Sequence, residues 1–249
     1  MNKIAMITGG TAGIGLATAK VLGRQGYHIV LNGIDEEQGK AAVAALKSEG
    51  IGVDLYLFDV TDENAVLAAF DEIGARFQDL DVLVNNAGGL GGRSRFEGME
   101  TDFFRKVMAL NLDSVFFVTR SAIPLLKKAG GASIVNFTSN AGWNAGGPGA
   151  GVYGTSKAAV TTLTRALAKD LAEYGIRVNA VSPGTIDTDF HANIKASKPE
   201  VFASWKDNIL MKRLGQPEEV ASVIEFLVSD KASFLTGEII QVNGGQDFL

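Results

Sequence analysis

Ile4-Ala5-Met6-Ile7-Thr8-Gly9-Gly10-Thr11-Ala12-Gly13-Ile14-Gly15 is the stretch whose reading decides the fold. Its four leading apolar residues have the character of a short strand buried on both faces. A glycine turn follows, and a helical pattern then runs from Leu16 to Gly26. Strand, glycine turn and helix come in the order that a phosphate site requires. Gly9, Gly13 and Gly15 permit a tight turn, a close backbone approach to a pyrophosphate, and close helix packing. The spacing departs from the Gly-x-Gly-x-x-Gly dinucleotide fingerprint, so by itself this stretch also admits a plain tight turn.

Outward from that junction the same alternation repeats. Strand patterns at His28 to Asn32, Asp54 to Phe58, Val82 to Val84, Ser133 to Phe137, Arg177 to Val181 and Glu238 to Val242 are separated by helical patterns. Asp35-x-x-Gln38 resembles a capping box for a helix to Leu46, and Thr61 stands near the cap of one to Phe77. Thr101 to Lys128 forms a long helical pattern with Asn111 in its middle, and Pro217 opens another at Glu218 to Ser229. About seven such alternations predict an α/β fold, a Rossmann-type doubly wound parallel sheet with helices on both faces.

Composition narrows the function. The 249 residues, 46% hydrophobic, suit one domain, and no linker-like segment divides residues 1–249. A net charge of -5 with no basic patch argues against nucleic acid as a partner. There is no cysteine and only His28 and His191, which excludes disulfides, thiolate nucleophiles and thiolate or His-rich metal sites. The apolar run at Ile4 to Ile7 is too short for a signal-peptide core or a membrane span, so a soluble cytoplasmic protein with no membrane partner is expected.

Tyr153 and Lys157, four residues apart at the start of a helical run, lie on one helix face. An isolated phenol titrates near ~10, and lowering that to roughly 7 or 8 needs about 3 to 4 kcal/mol. One cation about 4 Å away at an effective dielectric of ~20 supplies about 4 kcal/mol. Lys157 is therefore expected to turn Tyr153 into an acid–base group, although the same spacing occurs between a helix-start aromatic and a solvated lysine. Ser139 ends a strand pattern, where parallel sheets bind ligands. With no histidine nearby in sequence and no Gly-x-Ser-x-Gly setting, it suits a hydrogen-bond donor better than a nucleophile.

Taken together, Thr8-Gly-Gly-Thr-Ala-Gly-Ile-Gly15, Asn85-Asn86-Ala87-Gly88, Ser139, Tyr153-x-x-x-Lys157 and Ser182-Pro183-Gly184 occur in the order seen in the short-chain dehydrogenase/reductase family. The chain resembles that family over essentially its whole length, including 3-oxoacyl-carrier-protein reductases and sugar or uronate ketoreductases. The resemblance implies hydride transfer between a nicotinamide cofactor and a ketone or secondary alcohol. Ser139 would polarise the carbonyl, Tyr153 would move the proton, Lys157 would depress its pKa and bind ribose, and Asn111 would hold water in a proton path. It also implies a cofactor site of Gly9, Thr11, Ala12, Gly13, Ile14, Gly15, Gly33, Ile34, Asp59, Val60, Asn86, Ala87, Gly88, Tyr153, Lys157, Pro183, Gly184, Ile186 and Thr188, and a homotetramer.

Cofactor choice turns on Gly33 and Ile34. An acid there accepts from a free 2′-hydroxyl and an arginine pairs with a 2′-phosphate; this chain has neither, and Ala12 offers no cation. A 2′-phosphate would meet Asp35, Glu36 and Glu37 unpaired, so NAD(H) is favoured over NADP(H). Residues 188–213 form a long excursion expected to be a substrate lid. Arg93, Arg95, His191, Lys195, Lys198 and Lys206 point to an anionic substrate, a carboxylate-bearing sugar acid such as a keto-deoxy uronate or a 3-oxoacyl carrier thioester. The alternatives are a polyol or sugar dehydrogenase, or a cofactor-sensing protein without catalysis.

Overall fold

The computed structural model describes residues 3–248, the side chains of His191 and Asn193 excepted. Seven strands, β1 (Ile4–Ile7), β2 (His28–Gly33), β3 (Val53–Leu57), β4 (Val82–Asn85), β5 (Ser133–Phe137), β6 (Arg177–Pro183) and β7 (Ile239–Val242), make one sheet in the order β3-β2-β1-β4-β5-β6-β7. Every pairing is parallel. The chain winds from β1 to the β3 edge, returns to place β4 beside β1, and then winds to β7. Where the winding reverses, the loops after β1 and β4 part and leave a crevice at the carboxyl ends of the strands. Ile7 is in register with Val84 there, so Thr8 and Asn85 leave the sheet side by side.

Helices α1 (Gly13–Arg24), α2 (Glu36–Ser48), α3 (Glu63–Arg76), α4 (Thr101–Met108), α5 (Ser114–Lys128), α6 (Ala141–Asn144), α7 (Gly151–Leu171), α8 (Ala192–Ser197), α9 (Pro199–Ser204) and α10 (Pro217–Val228) connect the strands. Alternate strand residues point to opposite faces, and both faces are covered. Ile7, Leu31, Val84 and Val135 meet Leu22 of α1, Leu46 of α2 and Ile224 of α10 on one side. Met6, Val30, Leu83 and Ile134 meet Ile73 of α3, Leu126 of α5 and Leu171 of α7 on the other. Two covered faces are why the strands read as continuous apolar runs.

Local chemistry shifts several expected boundaries. Helix α1 starts at Gly13 rather than Leu16, because the glycine turn itself enters the helix. Asp62, not Thr61, caps α3, its carboxylate accepting from the Asn64 and Ala65 amides at 3.0 and 3.2 Å. Asp35 does cap α2, accepting from the Gln38 amide at 2.7 Å. The Gln38 side chain instead accepts from the Thr11 hydroxyl at 2.7 Å, which ties α2 to the glycine turn.

The helical run from 101 to 128 is divided by a π-helical turn, Ala109–Asp113, centred on Asn111. By length and composition that run could cross a membrane. Its Val107, Val115, Val118, Ala122 and Leu126 are buried in the body of the protein, as in a core helix. The excursion after β6 is pinned at its base: Ile186 bridges Gly215, and the Asp187 amide donates to the Gly215 carbonyl at 2.8 Å. Between these points lie α8, α9 and short 3-10 turns.

Candidate active site

The glycine turn is held from three directions. Asn32, buried at the end of β2, accepts from the Gly9 amide at 3.2 Å and donates to the Phe58 carbonyl at 3.0 Å. Asn86 donates to the carbonyls of Thr8 and Gly9 at 2.9 and 2.8 Å, and the Ala87 amide donates to the Thr8 hydroxyl at 3.0 Å. Gly15 lies so close beneath the turn that a Cβ there would stand 2.4 Å from the Gly9 carbonyl oxygen. Gly13 has φ of 51°, and Thr188, from the far side of the crevice, approaches it.

No side chain caps α1 at Ala12. Its first amides are therefore unspent and, with the helix dipole, suit an anion. A small-residue cradle beneath an uncapped helix of this length fits the pyrophosphate of a dinucleotide. Toward the β3 edge, Ile34 is 77% exposed, while Gly33 is closed over by Thr11, whose Cγ2 would lie 2.6 Å from any Cβ at that position. Val60 is buried, and Asp59 turns its carboxylate to the Thr61 amide and hydroxyl, both at 2.8 Å.

On the other side of β4 the four expected reactive residues converge. Lys157 is 3% exposed and donates to the Phe137 carbonyl at 2.9 Å. A Cβ at Gly88 would lie 2.9 Å from Asn111 Oδ1 and 3.2 Å from Lys157 Nζ, which places loop, amide and ammonium together. Asn111, fully buried, accepts from the Gly89 amide at 3.0 Å and donates to the Gly89 and Val107 carbonyls at 2.8 and 3.0 Å. The π turn around it spreads the backbone, as a bound water would need.

Tyr153 shares the Lys157 face of α7, its ring centroid 5.9 Å from Nζ, and its hydroxyl hydrogen bonds with Ser139. Here the electrostatic expectation needs correcting. Burial pushes the Tyr153 pKa up, and the Ser139 hydrogen bond offsets this only in part. Burial also lowers Lys157 from 10.5 to about 8. The Coulomb argument from sequence counted the attraction and omitted the desolvation of both groups, which dominates with protein atoms alone around them. Part of the phenol's surface stays open to the crevice, so the crowding is below and around it.

Several side chains at the mouth are committed elsewhere. Arg93 donates to the Pro148 carbonyl at 3.0 Å, Lys195 pairs with Asp187, and Arg213 pairs with Glu219. Arg95 is exposed, and the His191 side chain lies outside the described residues. Apolar groups stand around the same opening: Phe96, Trp143, Phe190, Leu210 and Met211 are all exposed, with the Phe190 ring 6.2 Å from Tyr153. Pro183 and Gly184 end β6 against the tail, the Gly184 amide donating to the Val242 carbonyl at 3.0 Å. Ile186 is buried.

Sequence reasoning missed Asn32, Gln38, Asn140 and Asp247. A polar amide inside the apolar run His28 to Asn32 was the signal for the first. Nothing local marks the other three, whose partners are distant in the chain.

An anion cradle at the winding reversal, with a phenol, a hydroxyl and an ammonium gathered next to it, defines a nucleotide-dependent oxidoreductase of the doubly wound class. Known proteins give the narrower group. A family model described as enoyl-(acyl carrier protein) reductase matches residues 9–247. An uncharacterized oxidoreductase of Thermotoga maritima is 41% identical over 98% of this chain and 97% of its own length. A 3β-hydroxysteroid dehydrogenase of Mediterraneibacter gnavus is 39% identical over 98% and 94%. The crystal structure of an actinorhodin polyketide ketoreductase variant with NADPH superposes with a TM-score of 0.93 at 31% identity, covering 98% of this chain and 97% of that one. The chain belongs to the short-chain dehydrogenase/reductase family, whose members bind NAD or NADP and act on CH–OH groups.

Proposed function

We propose that this protein interconverts a ketone and a secondary alcohol, with Tyr153 as proton donor in reduction and acceptor in oxidation. The observation that carries this is the convergence of Tyr153, Ser139 and Lys157 beside the anion cradle. Gly9, Thr11, Ala12, Gly13, Ile14, Gly15, Asn86, Ala87, Gly88 and Thr188 would hold the dinucleotide, which when bound supplies or takes up the hydride. Ser139 donates to the substrate oxygen and orients it. Tyr153 delivers its proton to that oxygen as the C–H bond forms. Lys157, near 8 and able to lose a proton at ordinary pH, restores the phenol's proton along the opening at Asn111.

The cofactor we assign is NAD(H) in preference to NADP(H). Ala12, Gly33 and Ile34 provide no cation, and the exposed Asp35, Glu36 and Glu37 would repel a 2′-phosphate. Residues 188–213 act as the lid, with Phe190 over Tyr153. The basic side chains that suggested an anionic substrate are largely engaged, whereas the mouth is apolar. An apolar-bodied ketone or cyclic alcohol is therefore the substrate class we favour. Exposed Phe104 and Phe116 on α4 and α5, and Phe226 and Phe234 toward the β7 edge, support burial against further copies in a homotetramer.

The test is a panel of cyclic, acyl and acidic ketones with NADH and NADPH, followed by the absorbance of the reduced nicotinamide. Tyr153→Phe should lose roughly two to three decades in kcat while keeping dinucleotide affinity. Turnover retained in that variant would overturn the catalytic reading, and a preference of about tenfold or more for NADPH would overturn the cofactor assignment.

A further inference from the structure

The tail after β7 reaches the reacting groups through a hydrogen-bond chain. Asp247 Oδ2 accepts from Asn140 Nδ2 at 2.7 Å. Asn140 Oδ1 accepts from the Ser139 hydroxyl at 3.2 Å, and Ser139 Oγ accepts from the Ala141 amide at 3.1 Å and hydrogen bonds with Tyr153. The tail is itself fixed. Gln246 Oε1 accepts from the Thr185 amide and hydroxyl at 3.0 and 3.1 Å, and Asn243 donates to the Asp247 carbonyl at 2.8 Å.

A primary amide can present either end to a neighbour, but a carboxylate only accepts. Asp247 therefore demands the amino end of Asn140, which leaves the amide oxygen facing Ser139. That oxygen takes the Ser139 hydrogen. With the Ala141 amide on one lone pair, Ser139 can then only accept from Tyr153. Every donor in the chain points the same way, from phenol to hydroxyl to amide to carboxylate, and such chains reinforce one another.

We infer that Asp247 is a positioning residue that sets the direction of this chain through Asn140 and so keeps the resting phenol as a donor. The inference rests on the catalytic reading of Tyr153 above. Asp247→Asn lets the Asn140 amide turn over, its amino end donating to Ser139. Ser139 then points its hydrogen at the tyrosine oxygen and favours the phenolate. Of the side chains that meet Tyr153, Lys157 on its own helix is charged, whereas Ser139 and Phe190 are neutral.

The test is the pH profile of kcat/KM for oxidation of the secondary alcohol most active in the panel, with NADH binding measured on each variant to establish an intact site. Asp247→Asn should move the rising limb to lower pH by about one pH unit, the worth of one reversed hydrogen bond, and Asp247→Glu should keep the parent profile. Asn140→Ala frees the Ser139 hydrogen by another route and should give the same displacement. In the Asn140→Ala background, Asp247→Asn should add nothing.

A profile unmoved in both Asp247→Asn and Asn140→Ala would overturn the inference. So would a displacement that persists when Asp247→Asn is added to Asn140→Ala, since the carboxylate would then act through space. Tyr153→Phe run alongside separates the two levels. If it stays active, the catalytic reading has failed; if it is inactive while the Asp247 profiles superimpose, only the tail assignment has failed.

Discussion

Lys157→Met should destroy activity and yet make the protein more stable at pH 7. The ammonium is almost wholly buried, its one hydrogen bond goes to the Phe137 carbonyl, and burial brings its pKa from 10.5 to about 8. That difference of about 2.5 pH units, at ~1.36 kcal/mol each, is about 3.4 kcal/mol of destabilisation whenever the amine is charged. Losing the Phe137 hydrogen bond offsets about 1 kcal/mol, so the variant should gain about 2 kcal/mol, or roughly 5 °C in melting temperature for a chain of this size.

The sign follows from which state binds the proton. Below pH 8 both folded and unfolded chains carry the charge, and the burial cost is complete. Between about 8 and 10.5 the folded lysine has lost its proton and the unfolded one has not, so parent stability from this group rises with pH. The advantage of Lys157→Met should therefore shrink across that window and vanish above it. Thermal melts of both proteins from pH 7 to 10, read as the difference at each pH, check it. Tyr153 is common to both and largely cancels. A variant less stable than the parent at pH 7, or a gap that does not change with pH, would refute the reasoning.

Gly15→Ala should cost about 1 to 3 kcal/mol and weaken dinucleotide binding at least about tenfold, because its methyl carbon would press on the Gly9 carbonyl and the Asn86 amide. Melting and nicotinamide fluorescence titration read the two effects, and unaltered affinity would show that the turn is not the phosphate site. Ile34→Arg, on an exposed position beside the glycine turn, should raise NADPH affinity relative to NADH by about tenfold. An unchanged ratio of dissociation constants would place the 2′ position elsewhere.

The order of apolar runs, glycine turns and caps was enough to predict seven parallel strands, a single α/β layer sandwich and the position of each expected reactive residue in it. This information is local: strand character, helix start and turn chemistry depend on neighbours a few residues away, so they are written where they act. Asn111 could be placed in a helix from sequence, but the π turn that opens around it depends on its bonds to Gly89 and Val107.

What only the tertiary structure decided are the quantities set by surroundings. Desolvation of Tyr153 and Lys157 reversed the expected shift of the phenol, because burial is a property of the packed body and not of a four-residue spacing. The closing of Gly33 by Thr11, the Thr11–Gln38 tie and the path from Asp247 to Ser139 join residues far apart in the chain. Sequence supplied the chemical groups and their order; the fold chose their partners, their exposure and the direction in which their protons point.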